Sequence, residues 1–396
     1  MKPSATREPL PASIAPPATS KLPGVGTTIF TVMSQLAREC GAINLGQGFP
    51  DFATPAGLLD RVVHHLRDGA NQYAPMAGMP ELREAIAAKV LALYGRQVDP
   101  VSDVTVTSGA TEAIFSAIQA VVHPGDEAIV FDPAYDSYEP AVTLAGGRTV
   151  HVPLTAPRYG VDWQRVAAAI TPRTRLVIVN SPHNPTGAVL DAADLEALAD
   201  LTRDRPITVL GDEVYEHIVF DGARHESLNR HAELREKSLV VSSFGKTYHA
   251  TGWKIGYCVA PPALSEEFRK VHQFAQFCVV TPMQKALAEY LTTTPEHHLG
   301  LGGFYQDKRD RFLHLLRESR FRLLPSAGTY FQLADYSAIT DQGDVDFALR
   351  LTRESGVAAI PVSVFYEEPP AARVLRFCFA KDIATLERAA QILCRI

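Results

Sequence analysis

The length, composition and charge of the chain are those of a globular enzyme, and they exclude several other classes of protein. With 396 residues, of which 46% are apolar, the chain is long enough for one large domain and a smaller one. A net charge of −6 argues against a nucleic-acid partner, because such a partner usually requires a basic face.

Cysteine usage and hydropathy indicate a cytoplasmic location without membrane contact. The five cysteines show neither CxxC nor zinc-ligand spacing, so we expect small core residues in a reducing compartment and no metal site. No apolar run approaches the roughly 18 residues of a membrane helix. The N-terminus also lacks the apolar core of a signal peptide.

The first 55 residues are predicted to form a tail and an arm. Residues 1–20 carry five prolines among alanine, serine and threonine, a composition typical of a disordered tail. The arm, residues 21–55, contains an amphipathic pattern that predicts a helix near residues 30–39. The segment 44–52 has two glycines where a dinucleotide fingerprint needs three, so only a close backbone approach to some ligand remains open.

Strands and helices alternate along the middle of the chain. The apolar runs that predict buried strands are 104–106, 128–131, 176–179, 207–210 and 239–241. Most are followed by helix-like segments, which is typical of a mostly parallel sheet covered by helices on both faces. After about residue 290 a basic helix, 304–317, and short strands near 322–324, 329–333 and 374–379 follow. We therefore predict an α/β fold with a large domain of residues 56–290 and a small α+β domain of residues 291–396.

The end of the last predicted strand carries the strongest candidate for covalent chemistry, Lys246. This lysine leaves the strand in a Ser/Gly turn, where α/β sheets place ligands, and Lys254 follows eight residues later. An amine near a hydroxyl and a second cation indicates covalent chemistry beside a phosphate site.

Three other interpretations of this stretch compete. Ser243-x-x-Lys246 matches the nucleophile motif of penicillin-binding enzymes, but the companion motifs are absent. The run 245–247 imitates the end of a P-loop, but Val240 stands where that motif needs glycine. An ordinary surface lysine in a turn remains open on this stretch alone.

The ends of the first two predicted strands offer amides and an aromatic ring. Gly109, Ala110 and Thr111 lie at the start of a predicted helix, where free backbone amides and the helix dipole favour a phosphate. Tyr135 follows the second strand and can either stack on a flat ring or pack into the core.

The ends of the third and fourth strands offer an amide and an acid. Asn184 lies in a loop that two X-Pro pairs make extended and rigid, and His183 beside it lacks partners at metal-ligand spacing. Asp212 lies at the mouth of a buried strand, where a carboxylate is costly without a partner. A protonated pyridine nitrogen is such a partner, and it would keep this carboxylate ionised.

Taken together, these motifs resemble those of one enzyme family. The signature around Lys246, the asparagine-proline-threonine-glycine run 184–187 and the pair Asp212-x-x-Tyr215 are similar to those of pyridoxal-phosphate-dependent class I aminotransferases of fold type I. The likeness runs from about residue 21 to the C-terminus. Within the class, 44–52, 71–73 and 376–379 resemble the kynurenine and methionine aminotransferase branch, and 21–30 and 243–261 resemble its bacterial methionine aminotransferases.

The resemblance implies a role for each residue around pyridoxal 5′-phosphate. Lys246 would bind the cofactor covalently and then act as base and acid in the proton shift, while Asp212 would pair with the pyridine nitrogen. Asn184 and Tyr215 would hold the phenolic oxygen, and Tyr135 would stack on the ring. The groups implied to bind the phosphate are the amides of Gly109, Ala110 and Thr111, the hydroxyls of Ser243 and of Tyr73 from a second subunit, and Lys254.

The resemblance also implies a homodimer with shared sites and an apolar substrate pocket. Arg376 would clamp the substrate α-carboxylate, with the amide of Gly48 beside it. Phe30, and Phe277 in the stretch that carries an arginine in dicarboxylate-specific relatives, would line the pocket. Such a pocket favours methionine and aromatic or other long neutral amino acids over aspartate, as donors of an amino group to a 2-oxo acid.

Two alternatives from other classes were weighed against an aminotransferase. A β-lyase that cleaves C–S bonds would share the scaffold and every cofactor residue, and the sequence does not state which bond the pocket aligns. A transcription regulator with an aminotransferase-like half would need a basic helix-turn-helix module, whereas the extra sequence here is about 20 proline-rich residues.

Overall fold

The computed structural model describes residues 19–396, so the predicted disordered tail lies outside the described residues except for its last two. No helix within residues 19–396 is long and apolar enough to span a membrane. The strands of this range are β1 (Ile43–Asn44), β2 (Val104–Thr107), β3 (Glu127–Asp132), β4 (Arg148–Pro153), β5 (Thr174–Asn180), β6 (Thr208–Asp212), β7 (Ser238–Ser243), β8 (Gly256–Val259), β9 (Arg322–Leu323), β10 (Phe331–Asp335), β11 (Val357–Ala358), β12 (Ile360–Pro361) and β13 (Val374–Cys378).

The α-helices cover these strands and connect them. Their bounds are α1 (Ile29–Glu39), α2 (Ala56–Arg67), α3 (Pro80–Tyr94), α4 (Gly109–Val121), α5 (Tyr138–Leu144), α6 (Trp163–Ala169), α7 (Ala192–Thr202), α8 (Phe244–Thr247), α9 (Pro262–Ala275), α10 (Thr281–Thr293), α11 (Pro295–Leu299), α12 (Leu301–Leu316), α13 (Asp344–Arg350) and α14 (Ile383–Leu393). The predicted helix near 30–39 is confirmed as α1, whose N-cap Thr28 accepts a hydrogen bond from the Thr31 amide.

The central sheet has seven strands in the order β2-β8-β7-β6-β5-β3-β4. Strands β3 to β7 pair in parallel, and β8 runs antiparallel to both of its neighbours, β2 and β7. The five predicted strands are all present in this sheet. Strands β4, at one edge, and β8, within the sheet, were not predicted.

Alternate residues of the central strands enter two different cores, which explains why the strands read as continuous apolar runs. In β3, Ile129 packs with helices α6 and α7, whereas Val130 packs with α4, α5 and α9 on the other face. Each fully buried aliphatic side chain contributes about 1.5–3 kcal/mol, so burial on both faces fixes the sheet. Because these strands are parallel, their carboxyl ends meet at one edge, and that edge carries the polar side chains.

The arm and the C-terminal segment share a third core. Strand β1 pairs in parallel with β11, and Met33 of α1 packs in one cluster with Phe312 of α12 and Phe377 of β13. The antiparallel sheet β12-β13-β10-β9 lies in the same part of the fold. This packing brings Gly48 and Arg376 to the polar edge of the central sheet, where the Gly48 carbonyl accepts from Lys246 at 3.2 Å and Arg376 donates to Asn184 at 2.7 Å.

Candidate active site

A cavity at the carboxyl edge of the central sheet brings together ten of the predicted cofactor residues. They follow strands β2, β3, β5, β6 and β7, as the alternation of strands and helices predicted. The ten residues are Gly109, Ala110, Thr111, Tyr135, Asn184, Asp212, Tyr215, Ser243, Lys246 and Lys254.

The turn after β7 holds Lys246 inside this cavity. The single-turn helix α8 begins directly after Ser243, the last residue of β7, and projects Lys246 towards the C-terminal segment. The Lys246 amine donates to the hydroxyl of Tyr330 at 3.0 Å and to the carbonyl oxygen of Gly48 at 3.2 Å. Burial lowers the pKa of this amine to about 8, with Lys254 and Arg376 acting in the same direction. An amine with such a pKa is a stronger nucleophile near neutral pH than an ordinary lysine.

The start of α4 and Lys254 form a cradle for an anion. Gly109 has a φ of +75°, and a Cβ added there would lie 3.3 Å from the Lys254 ammonium nitrogen. A Cβ at Gly256 would lie 3.0 Å from the amide nitrogen of Ala110. Because these two glycines have no side chain, the Lys254 ammonium group and the backbone amides at the start of α4 can lie close together. Amides at a helix N-terminus with an adjacent ammonium group fit a phosphate.

Asp212 faces the cavity from the end of β6 as a buried acid. Burial raises its pKa to about 6, although the hydroxyl of Tyr138 donates to its Oδ2 at 2.6 Å and opposes that rise. Asn180 fixes the neighbouring loop, since its amide donates to the Asp212 carbonyl at 2.7 Å and its Oδ1 accepts from the Asn184 amide at 2.8 Å. A cationic partner would stabilise the ionised form of this buried carboxylate. A protonated ring nitrogen is such a partner.

Arg376 is a fully buried cation that contacts Asn184, one of the residues lining the cavity. Its guanidinium donates to Asn184 Oδ1 at 2.7 Å, and its central carbon lies 3.9 Å from the ring centre of Phe331 and 5.2 Å from that of Phe30. Its Nε has no hydrogen-bond partner, and Arg376 forms no ion pair within residues 19–396. A buried arginine held by neutral groups in this way is suited to bind an incoming carboxylate.

The carbonyl group of Gly48, in the arm, contacts the site, and the role expected for its amide beside Arg376 stays a prediction. The carbonyl oxygen of Gly48 points towards Lys246, and a Cβ at this position would lie 2.8 Å from the ring of Phe331. Only glycine therefore fits between the arm and Phe331.

Tyr73 and Phe277 lie outside the cavity of their own chain. The two rings contact each other edge to face at 5.4 Å, and their exposed fractions are 83% and 48%. Tyr73 also lines a surface depression together with Leu66 and Val280, which are exposed as well.

Three residues that contact the predicted site were missed in the sequence. Tyr138 begins α5 six residues after the end of β3, and Asn180 ends β5, so their positions after and at strand ends gave a signal for both. Tyr330 lies just before β10, far from Lys246 in sequence, and no local pattern indicates it.

A buried amine of lowered pKa, beside an anion cradle and opposite a buried acid, is the arrangement that covalent amine chemistry with a phosphorylated cofactor requires. The chain belongs to the class I and II aminotransferase family, whose sequence profile matches residues 41–393. It is an aminotransferase with the mostly parallel α/β architecture of fold type I, and enzymes of this family in general depend on pyridoxal phosphate.

Comparisons with similar proteins illustrate the range of this family. A methionine aminotransferase of Escherichia coli is 55% identical over 374 residues, which cover 94% of this chain and 97% of that protein. The solved structure of an Escherichia coli methionine aminotransferase has a TM-score of 0.94 at 54% identity and covers 96% and 99% of the two chains. A kynurenine–oxoglutarate transaminase of Mus musculus is 34% identical over 94% of this chain and 96% of its own. A structure of N-succinyldiaminopimelate aminotransferase from Mycobacterium tuberculosis has a TM-score of 0.93 at 40% identity and covers 96% and 99%.

Proposed function

We propose that this aminotransferase binds pyridoxal 5′-phosphate at Lys246 and transfers the amino group of methionine and of aromatic or other long neutral L-amino acids to a 2-oxo acid. The observation that carries the proposal is the buried Lys246 amine between Asp212, Lys254 and Arg376, which are suited to a ring nitrogen, a phosphate and a carboxylate. The substrate class is supported by the 55% identity to a methionine aminotransferase of Escherichia coli.

The residues of the cavity fit this cofactor. Gly109, Ala110, Thr111, Ser243 and Lys254 would hold its phosphate, and Tyr135 would stack on its ring. When bound, the cofactor supplies an electron sink that makes the substrate Cα–H bond acidic.

The side chains around the ring have complementary tasks. Asp212 would keep a proton on the ring nitrogen, and Asn184 and Tyr215 would bind the phenolic oxygen. Lys246 would take the proton from the substrate Cα and deliver it to the cofactor carbon. Because Asn184 also accepts a hydrogen bond from Arg376, its side-chain amide would contact both the cofactor and the arginine that binds the substrate carboxylate.

Two aromatic rings lie against Arg376, the residue proposed to bind the substrate carboxylate. The guanidinium lies between Phe30 and Phe331, so the α-carboxylate would bind beside two aromatic rings. Neutral side chains gain from such surroundings, whereas a second carboxylate would be buried without a cation.

We propose that the working unit is a homodimer in which each site is completed by the other subunit. Tyr73 and Phe277 support this, because two large exposed rings contact each other outside their own cavity, and the apolar side chains of Leu66 and Val280 are exposed as well. In the dimer, Tyr73 would donate to the cofactor phosphate and Phe277 would line the substrate pocket of the partner subunit.

The domain organisation and the location of the protein remain parts of the same proposal. The common core of α1, α12 and β13 supports a small domain of residues 291–396 joined by the arm, residues 21–55, beside a large domain of residues 56–290. The five free cysteines support a cytoplasmic location.

A half-reaction screen tests the function directly. The holoenzyme is mixed with single amino acids, and the absorbance of the lysine-bound cofactor is followed as it converts to the amine form. Methionine and phenylalanine should convert it fully, whereas release of a thiol from cystathionine or cysteine conjugates without conversion would show a β-lyase instead. Borohydride reduction followed by peptide mapping should place the cofactor label on Lys246, and a label elsewhere would refute the site.

A further inference from the structure

The hydroxyl of Tyr330 contacts the Lys246 amine and has no role in the function proposed above. Tyr330 is fully buried and donates to the carbonyl oxygen of Gly48 at 2.7 Å. This bond uses the only proton of the hydroxyl, so its oxygen accepts from the Lys246 amine at 3.0 Å. The Gly48 carbonyl also accepts from that amine, at 3.2 Å, so three groups from distant segments close one hydrogen-bonded triangle.

The surroundings hold the Tyr330 ring in one place. Tyr215 and Phe331 contact it edge to face, with ring centres 5.1 Å and 4.9 Å away, and Tyr305 lies at 5.5 Å. The preceding residue, Thr329, has a φ of +65°, a conformation that a β-branched residue adopts only when packing imposes it. The hydroxyl is therefore a fixed acceptor and not a mobile surface group.

We propose that Tyr330 and the Gly48 carbonyl form the resting position of the Lys246 amine whenever that amine is not covalently bound, and that Tyr330 thereby sets its strength as a base. The proposal rests on the function proposed above, in which Lys246 moves the substrate proton. Tyr330 is a positioning residue, because it acts through Lys246.

The direction of the effect follows from the hydrogen bonds. Two oxygen acceptors stabilise the ammonium form over the neutral amine, so they raise the pKa of Lys246, whereas burial lowers it, to about 8. Loss of one acceptor should let the pKa fall further. The other titratable and charged groups that face Lys246 remain in place in such a variant: Asp212, Tyr215, Lys254, Arg376 and Cys378.

The first test measures the pKa of the Lys246 amine in protein that is not turning over substrate. In cofactor-free protein, the rate at which acetic anhydride labels Lys246 is followed against pH by mass spectrometry. Tyr330→Phe keeps the ring and removes the hydroxyl, so the pKa of Lys246 should fall by about one unit, as expected for one hydrogen bond to a charged donor. Tyr330→Leu, a second side chain without a hydroxyl, should give the same shift.

Tyr305→Phe is the matched control. It removes a hydroxyl from the same aromatic cluster, but that hydroxyl pairs with His249 Nδ1 at 3.2 Å and does not contact Lys246. The pKa of Lys246 should stay at its wild-type value in this variant, and melting temperatures should show that all three variants fold. An unshifted pKa in both Tyr330 variants would overturn the proposal.

The second test uses the pH dependence of turnover in the holoenzyme. A weaker base with a lower pKa is neutral at lower pH, so the acid limb of the kcat profile should move down by about one unit in Tyr330→Phe, while the plateau falls by up to about tenfold. KM should change little, because Tyr330 acts through the lysine. A lower plateau with an unmoved limb contradicts the proposal, whereas a wild-type enzyme that transfers no amino group contradicts the proposed function itself.

Discussion

The hydroxyl of Tyr138 donates to Asp212 at 2.6 Å, and this bond partly offsets the burial of the acid. Burial raises the pKa of Asp212 to about 6, so at neutral pH the folded chain holds an ionised carboxylate in surroundings that favour its neutral form. The site therefore carries a cost in stability, which a cationic ring nitrogen would relieve. This relationship predicts opposite effects of one substitution on stability and on cofactor binding.

Asp212→Asn should stabilise the cofactor-free protein at pH 8 and weaken cofactor binding. A carboxyl whose pKa rises from 3.8 to about 6 on folding favours the folded state only while it is protonated, and this advantage is lost as pH rises through 6. The gain at pH 8 should therefore reach at most about 3 kcal/mol and shrink between pH 6 and pH 4. Urea denaturation of both proteins at pH 8 and pH 5 measures it. A variant less stable than wild type at pH 8 would contradict the burial argument.

The central strands were predictable because burial on both faces leaves a local signal. Leu176–Val179 and Leu239–Val241 are continuous apolar runs, and both lie inside observed strands. Strand β4 was not predicted because only one of its six residues is fully buried, so polar residues such as Arg148 and His151 interrupt the apolar run. Strand β8 was not predicted because it begins with Gly256, only two residues after Lys254, so its short apolar run was assigned to the loop around that lysine.

Site residues that follow the ends of strands could be predicted from the sequence. Site residues that are brought together from distant segments could not. Asp212 and Lys246 end neighbouring parallel strands, so topology alone places them together. Tyr330 and Gly48 lie 84 and 198 positions from Lys246, and only the packing of the arm against β10 brings them to it. The contact between the Gly48 carbonyl and Lys246 was not predicted, because the orientation of a single peptide group leaves no trace in the sequence.

The charge of the substrate side chain should dominate specificity. Methionine, glutamine and glutamate have similar lengths, so they separate charge from size. Glutamate and aspartate should show kcat/KM at least about a hundredfold below that of methionine, because a second carboxylate would be buried without a cation, and glutamine should fall between them. In Phe277→Arg the value for aspartate should rise. A value for aspartate equal to that for methionine in the wild type would rule out an apolar pocket.

A buried ion pair behind the site should be essential for stability. Lys89 donates to Glu216 Oε1 at 2.6 Å, and both side chains are almost completely buried. Burial alone would raise the pKa of Glu216, but Lys89 and the Tyr94 hydroxyl hold it below its ordinary value. Lys89→Met should lower the free energy of unfolding at pH 7 by about 3–5 kcal/mol, because Glu216 would remain buried and unpaired.

The same measurement has a matched control on the surface. Lys285 lies 3.7 Å from Glu81, and both side chains are partly exposed. Lys285→Met should change the free energy of unfolding by less than about 1 kcal/mol. As pH falls, the deficit of Lys89→Met should shrink, because Glu216 can then be neutral. Equal effects of the two substitutions would show that Glu216 does not depend on Lys89.

The shared site of the proposed dimer can be tested by mixing subunits. Tyr73→Phe should weaken cofactor affinity by about one to two powers of ten, because a charged phosphate would lose one hydrogen bond worth roughly 1.5–3 kcal/mol. Lys246→Ala should abolish turnover. In a heterodimer of these two chains, one site carries both lesions and the other carries neither, so each heterodimer should regain about the activity of one normal site at limiting cofactor.

A second mixture gives the control. Lys246 and Asp212 line the same cavity of one chain, so a heterodimer of Lys246→Ala and Asp212→Asn chains has one lesion in each site and should recover nothing. Subunit exchange is verified with differently tagged chains, and light scattering gives the size of the active species. Recovery in the second mixture, none in the first, or full activity in a monomer would each defeat the shared-site proposal. Recovery in the first mixture alone requires that Tyr73, which is 83% exposed on its own chain, completes the site of its partner.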